Sequence, residues 1–457
     1  MAEGASTTDT IRQWILYFGL PNQCRKCRKF GHLARTCTTN KSKPQEGFTQ
    51  RSPHESREAR NSSAEPTRSP PRKQSGPPSK ALADPRTTAK TNVREEARPL
   101  SGPPLPGPSP PTSIGYSPPP NSRKSGPQLF VHGAPEGFYA FGDSYTDTGN
   151  TGADWVPNGI TWPGYPDGRL SDGRNQVDYF AELFGLPSPT VFEHMKSNGM
   201  KSEGGVNFGV SGAGITYAWG RASLDTQVDN FEGLVKGGIL TKSHLERSVA
   251  LVCIGVNDYS TFNLFQHTPE ALPTLITTVV DGIALNLLRI HELGIQHIMV
   301  ATMVPLACVP YTTFVNNFTT CVNNQTISNE TIQHNSLLED RVKLLNKVLP
   351  EADIIIINQT KAMETLFHNG QEYGFVNPFS PCCTGGNTET TVTNCGVTDD
   401  DGKPMYHLCK DPSRAVIFDF IHPTQAAWKT IVHLYSSTPG FTHFGPKLNT
   451  WIKQHDI

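Results

Sequence analysis

The sequence predicts a three-layer α/β/α domain over residues 136–440, a parallel sheet with helices on both faces, preceded by a small zinc-binding module and a long disordered linker. Four buried-strand signals, 138–141, 249–254, 297–302 and 353–358, each built on consecutive apolar residues, carry the sheet. Strands apolar on both faces belong to parallel sheets buried between helices. Helix-length amphipathic segments lie between them, and strand–helix alternation is the pattern of this architecture. Polar, glycine-containing stretches follow two of the runs directly, where open α/β sheets place their sites.

A chain of 457 residues exceeds one domain of usual size. Its apolar share, 36%, is low because of one region: residues 38–135 hold 20 of the 38 prolines and almost no large apolar side chains. Such composition cannot bury enough surface to order itself. The net charge of −1 hides a division, with 21 Lys+Arg against 9 Asp+Glu through Gly126 and 19 against 32 after it. A basic disordered arm suits a polyanion; the acidic remainder does not. No unbroken apolar run approaches the roughly 20 residues of a membrane span, so a soluble protein is expected. The divisions read from this are an N-terminal segment 1–20, a zinc module 21–38, a linker 39–135, the α/β domain 136–440 and a tail 441–457.

Taken in order, residues 14–20 are apolar but make a poor signal peptide: Glu3 and Asp9 precede them against one Arg12, and no small-residue cleavage site follows. Cys24, Cys27, His32 and Cys37, spaced C-x2-C-x4-H-x4-C, supply three thiolates and an imidazole, a set that closes tetrahedrally around structural Zn2+. This stretch resembles the retroviral-type zinc knuckle, and the lead-in from Gly19 resembles knuckles of retroelement proteins. The resemblance implies contact with single-stranded nucleic acid. Phe30 and Leu33 are the candidate stacking pair, with Arg28 and Lys29 beside Arg25, Lys26 and Arg35 for phosphates.

Phe138 to Phe141 reads as a buried strand broken by Gly142 and Asp143, which sets Ser144 at its carboxyl end. Thr146, Asp147, Thr148 and Gly149 are turn and helix-start residues, whose backbone N–H groups are suited to an oxyanion. Residues 171–185 read as a helix with Val177, Phe180, Ala181 and Phe184 on one face and Gly185 as its stop. Further helices are expected over 273–293, 335–349 and 424–434. Asp419 and His422, three apart at a helix entrance, can present a carboxylate to an imidazole whose other nitrogen faces Ser144. Asn257, after its strand, offers an amide, and Gly212 a backbone N–H unobstructed by a side chain. Each pattern alone is most often a turn or a cap; four in one order, three of them after strand-like runs, point to nucleophilic catalysis.

Residues 142–150, 207–213, 255–258 and 419–424 together resemble the four blocks of GDSL-type esterases/lipases of the SGNH hydrolase superfamily, most of all the plant type. The stretches 166–174 and 382–385 are also similar. The resemblance implies a flavodoxin-like sheet, Ser144 as nucleophile, His422 as base, Asp419 as its orienter, and Gly212, Asn257 and the Ser144 N–H as oxyanion donors. It implies hydrolysis of small or polymeric carboxylic esters through an acyl-serine, with no cofactor for catalysis, zinc belonging to the knuckle alone. Two positions depart from the pattern, Tyr145 where Leu is common and Ser211 where Gly often stands, and both bear on acyl preference. The alternative reading is a nucleic-acid-binding protein whose hydrolase-like domain is a non-catalytic scaffold.

Cys253 lies within a buried run. Cys308, Cys321, Cys382, Cys383, Cys395 and Cys409 lie in loop-like sequence and allow three disulfides in 15 pairings. With glycosylation sequons at Asn317, Asn324, Asn329 and Asn358 they suit a secreted domain. The knuckle thiolates need a reducing compartment instead, so the halves read as a retroelement-type segment joined to a hydrolase lacking its own signal.

Overall fold

The structure, a computed structural model, describes residues 134–457 apart from 200, 203, 217–220, 265–267, 350, 386–394, 397, 399–402 and 455–457. The N-terminal segment, the Cys3His set with Phe30, Leu33, Arg28 and Lys29, and all but the last two residues of the linker lie outside the described residues.

The chain runs through β1 (Gly137–Gly142), α1 (Gln176–Phe184), β2 (Thr190–Val191), α2 (Phe192–Ser197), β3 (Val206–Asn207), α3 (Leu224–Lys236), α4 (Lys242–Leu245), β4 (Ser248–Cys253), α5 (Val256–Leu264) and α6 (Leu272–Glu292). It continues through β5 (His297–Ala301), α7 (Pro310–Thr313), α8 (Gln325–Val348), β6 (Asp353–Ile357), α9 (Gln359–Asn369), β7 (Cys383–Gly385), β8 (Tyr406–Leu408), α10 (Gln425–Ser437), β9 (Thr442–His443) and α11 (Leu448–Gln454). The main sheet is ordered β2-β3-β1-β4-β5-β6-β9, parallel throughout except where β9 meets β6. α6 packs against α3 and α8, and α10 against α1, α9 and α11, which gives one helix layer on each face. The architecture is the expected one.

Every residue of β1 and β4 is buried, as strands sandwiched between helices must be. Gly137 pairs with Ser248 and Gly142 with Cys253, so the two strands end at one level and deliver their following turns to the same edge. Gly142 is required there. Its φ is +145°, and a Cβ would fall 2.0 Å from the Cys253 carbonyl oxygen, so no other residue lets β1 approach β4 as it leaves the sheet.

Three elements differ from the sequence reading. α1 begins at Gln176, because Asn175 caps it: the Asn175 side chain accepts from Val177 N at 3.0 Å and the Asp178 carboxylate accepts from Asn175 N at 3.0 Å. α8 starts at Gln325, ten residues before the expected 335, behind an Asn324 cap that accepts from Thr326 N and Ile327 N. Its first turns bury polar Glu330, Thr331 and His334, so apolar periodicity misses them. Residues 441–454, read as a tail, belong to the domain: β9 adds an edge strand and α11 buries Trp451, which is 1% exposed.

One helix bears on the expectation that no unbroken apolar run reaches membrane-span length. α6, with 21 residues, is long and apolar enough to cross a membrane by length and composition, although Asp281, Asn286 and Arg289 interrupt it. Most of it is packed inside the domain, with Ile276, Val279, Val280, Ile283 and Leu287 buried.

Candidate active site

Ser144 lies two residues beyond β1 and is the partly exposed member of an otherwise buried turn. The turn is held from both sides. Gln227 of α3, 1% exposed, donates to Gly142 O and accepts from Gly142 N, each at 2.8 Å. Asp143 O accepts from Thr146 N at 3.0 Å and Asp147 N at 2.9 Å, so the chain enters a helical turn immediately after the serine. Asp143 is buried, its Oδ1 accepting from Tyr145 N at 3.1 Å while its Oδ2 has no partner among the described residues. Burial pushes this carboxyl up to about 7, with Asp258 adding to the rise and His422 opposing it.

His422 reaches the serine from the loop before α10. Its Nε2 is 2.8 Å from Ser144 Oγ and its Nδ1 is 2.7 Å from Asp419 Oδ2. The second carboxylate oxygen, Asp419 Oδ1, accepts from Ile421 N at 2.9 Å and His422 N at 2.8 Å. Asp419 therefore orients the imidazole and closes the backbone turn that carries it. His422 O accepts from Phe418 N at 2.7 Å, and Phe418 O accepts from Cys383 N at 2.6 Å. The imidazole lies edge-to-face with Tyr145 at 5.7 Å and Phe420 at 5.9 Å, which leaves it few orientations.

The remaining blocks converge on the same edge. Asp147 accepts from Gly149 N and Asn150 N at 2.8 and 2.7 Å, and from Ser211 N and Ser211 Oγ at 2.8 and 2.9 Å, so one carboxylate binds the first block to the second. Gly212, φ +82°, follows Ser211. Asn257 of α5 donates through Nδ2 to Ala213 O at 2.9 Å, next to Gly212, and Asp258 accepts from Ile215 N and Thr216 N at 3.0 and 2.7 Å. α5 is anchored beneath by Tyr259, whose hydroxyl meets His334 Nδ1 of α8 at 2.9 Å; burial drives His334 down to about 3, so this pair is uncharged. The structure thus brings Ser144, His422 and Asp419 into one hydrogen-bonded line and ties the loops of Gly212 and Asn257 to each other.

Sequence reasoning missed Gln227, Asp143 and Asp147, and gave Tyr145 and Ser211 a different place. Tyr145 is 2% exposed, with its hydroxyl donating to Ile421 O at 3.0 Å, and it supports the base from below. Ser211 is turned to Asp147. Neither side chain lines the cleft of about 370 Å3 that opens beside His422, whose walls include Trp155, Asn158, Leu170, Asp419 and Phe420.

The six loop cysteines pair as Cys308–Cys321, Cys382–Cys409 and Cys383–Cys395. The last two brace the strand that hydrogen-bonds the Phe418–His422 turn, since Cys382 N also donates to Ile417 O at 2.9 Å. Cys253 is free and buried at the end of β4, where loss of solvation keeps its thiol protonated.

The chain is similar to known proteins. The chain is 36% identical over 310 residues to one GDSL esterase/lipase of Arabidopsis thaliana, covering 65% of this chain and 86% of that one. It is 37% identical over 309 residues to a second, covering 65% and 85%. Among solved structures, an acetylxylan esterase from Geobacillus stearothermophilus aligns with a TM-score of 0.29 at 14% identity, over 52% of this chain and 82% of that one. The family model for GDSL-like lipase/acylhydrolase matches residues 138–434, a span that takes in Ser144, Gly212, Asn257, Asp419 and His422. The chain belongs to the GDSL-like lipase/acylhydrolase family.

Proposed function

We propose that this ester hydrolase works through Ser144 as nucleophile, His422 as general base and then general acid, and Asp419 as the group that orients His422. The observation that carries the reading is the continuous line from Ser144 Oγ to His422 Nε2 at 2.8 Å and from His422 Nδ1 to Asp419 Oδ2 at 2.7 Å. As Oγ attacks the ester carbonyl carbon, its proton passes to Nε2, and Asp419 stabilises the imidazolium. The oxyanion is received by the backbone N–H groups of Ser144 and Gly212 and by the Asn257 amide. Collapse expels the alcohol, which takes the proton from Nε2 and leaves an acyl-serine. Water, deprotonated by the same nitrogen, then releases the carboxylic acid and restores Ser144. The test is hydrolysis of p-nitrophenyl acetate by the full chain: turnover that Ser144→Ala removes supports the reading, and turnover that survives the substitution overturns it.

We also infer that Cys24, Cys27, His32 and Cys37 hold a structural zinc ion. The donor set fits the metal in number and type. Phe30, Leu33, Arg28 and Lys29 then meet single-stranded nucleic acid, which the excess of Lys and Arg through Gly126 favours. Zinc content of the purified chain and its binding to a single-stranded RNA oligonucleotide test this part separately from catalysis. If Ser144→Ala leaves turnover unchanged while RNA is bound, the scaffold alternative replaces the enzymatic one.

A further inference from the structure

We infer that Cys308, Cys321 and His368 form a zinc site in the α/β domain, one that exists only when the bridge between the two cysteines is reduced. Their ligand atoms, two Sγ and one ring nitrogen, all lie within 4.8 Å of one another. Among the described residues no other Cys, His and carboxylate side chains bring three donors together so closely. His368 Nε2 is 3.8 Å from Cys321 Sγ. Around a tetrahedral zinc, bonds of about 2.3 Å to sulfur and about 2.1 Å to nitrogen set the two donors about 3.6 Å apart. The imidazole thus already stands where a third ligand belongs. Two thiolates and an imidazole select zinc over the harder magnesium and calcium ions.

More than the bridge holds these groups in place. Val322 N donates to Ala307 O at 2.7 Å, so the segments carrying Cys308 and Cys321 stay side by side without it. His368, in the last turn of α9, packs edge-to-face with Phe379 at 5.8 Å, and Phe379 stacks on Phe367 at 5.2 Å. Cys308 is buried, Cys321 partly buried and His368 exposed, so a cation enters from solvent and water takes its fourth position. The compartment that keeps Cys24, Cys27 and Cys37 as thiolates is also one that reduces exposed bridges. There a dithiol passes two electrons and two protons to Cys308 and Cys321 and itself becomes a disulfide. Zinc displaces the two protons and bonds both sulfurs and His368 Nε2. The metal then closes residues 308–321 as a loop in place of the bridge. With the bridge intact the site holds no zinc, and the set from Cys24 to Cys37 is the whole zinc content of the chain.

The test is the zinc retained by the full chain after reduction with a phosphine and dialysis against buffered Zn2+. A phosphine holds zinc weakly; water supplies the oxygen it gains and the protons that the sulfurs take. Reduced His368→Ala should bind one zinc fewer per chain than reduced wild type, its site weakened about a hundredfold or more, beyond the cost of losing an outer-shell partner. Cys321→Ser should lose the same zinc. The residues of the knuckle and the other four bridge cysteines are common to all three proteins and cancel from the difference. Without reductant, wild type and His368→Ala should hold equal zinc. Equal zinc in the reduced pair overturns the proposal, as does a zinc that survives Cys321→Ser or a difference already present without reductant. Should reduction unfold the α/β domain at saturating Zn2+, as read by circular dichroism, no folded dithiol exists to hold the metal and the proposal falls as well.

Discussion

Tyr145 Oη donates to Ile421 O at 3.0 Å, joining the residue after Ser144 to the turn that carries His422 across 276 positions of sequence. The same ring packs edge-to-face on His422 and on Trp428 of α10. Ser144 and His422 arrive from opposite ends of the domain, and Tyr145, next to Ser144 in the chain, bonds the residue before His422 and packs on its ring.

Tyr145→Phe removes this hydrogen bond and keeps the ring. A buried hydrogen bond of this kind contributes about 1 kcal/mol, and felt only in alignment it lowers kcat by roughly three- to tenfold. We expect KM for p-nitrophenyl acetate to stay within about a factor of two, since the side chain does not line the cleft. A rise in KM at unchanged kcat would place Tyr145 in substrate binding instead.

Asp419→Asn tests the two duties of that carboxylate separately. The amide oxygen can still accept from Ile421 N and His422 N, so the turn persists, but a donor now faces Nδ1 and favours the wrong tautomer. The expected loss in kcat is on the order of 10³ to 10⁴ with the fold retained. A loss below tenfold, with circular dichroism unchanged, contradicts the orienting role.

Asp143 imposes a pH dependence on stability. Its carboxyl titrates at about 7 in the folded chain against 3.8 ordinarily. Below about 4 both states hold the proton; between about 4 and 7 the native state alone holds it; above 7 neither does. The contribution of this group is thus full at low pH, is lost as pH rises through that window, and is flat beyond it. Asn at position 143 carries no such proton. The difference in unfolding free energy, wild type minus Asp143→Asn, should be more positive at pH 5 than at pH 8 by urea titration. Glu330 and His334, also shifted by burial, act alike in both proteins and cancel. Equal differences at the two pH values would mean that Asp143 is ionised when folded.

The Cys382–Cys409 bridge closes a loop behind the base, with a sequence separation of 27. Chain-entropy arguments put its stabilisation at about 3 kcal/mol. Replacing both cysteines by Ala should lower the thermal midpoint. It should also lower kcat more than the same change at Cys308 and Cys321, because Cys382 N donates to Ile417 O and Cys382 directly precedes the strand whose Cys383 N donates to Phe418 O. Equal kinetic effects of the two pairs would remove the bridge from the support of His422.

Much of this site is legible in sequence because all of its blocks but that of Gly212 follow an unbroken apolar strand or open a helix, and both are local signals. Ser144 after β1 and Asn257 after β4 are read that way, and Asp419 and His422 ahead of α10. Gln227 is not legible: it clamps Gly142 from 85 positions away, and a glutamine in an amphipathic helix looks like any surface residue. The start of α8 is hidden because the residues it buries are polar, and the edge strand β9 because two residues carry no period.

The zinc module and the hydrolase should be energetically independent. The sequence over 39–135 is rich in Pro and Ser, the composition of a linker that would be expected neither to hold residues 21–38 against the catalytic edge nor to transmit strain to it. A Cys3His segment this short folds on its metal, so losing zinc unfolds it alone. Cys27→Ser should therefore abolish zinc retention and weaken binding to single-stranded RNA, while kcat/KM on p-nitrophenyl acetate stays within about a factor of two, or ~0.4 kcal/mol in barrier. Ser144→Ala should remove turnover without changing zinc stoichiometry. A tenfold loss of esterase activity in the Cys27→Ser protein, with the α/β domain still folded by circular dichroism, would show that the two modules communicate.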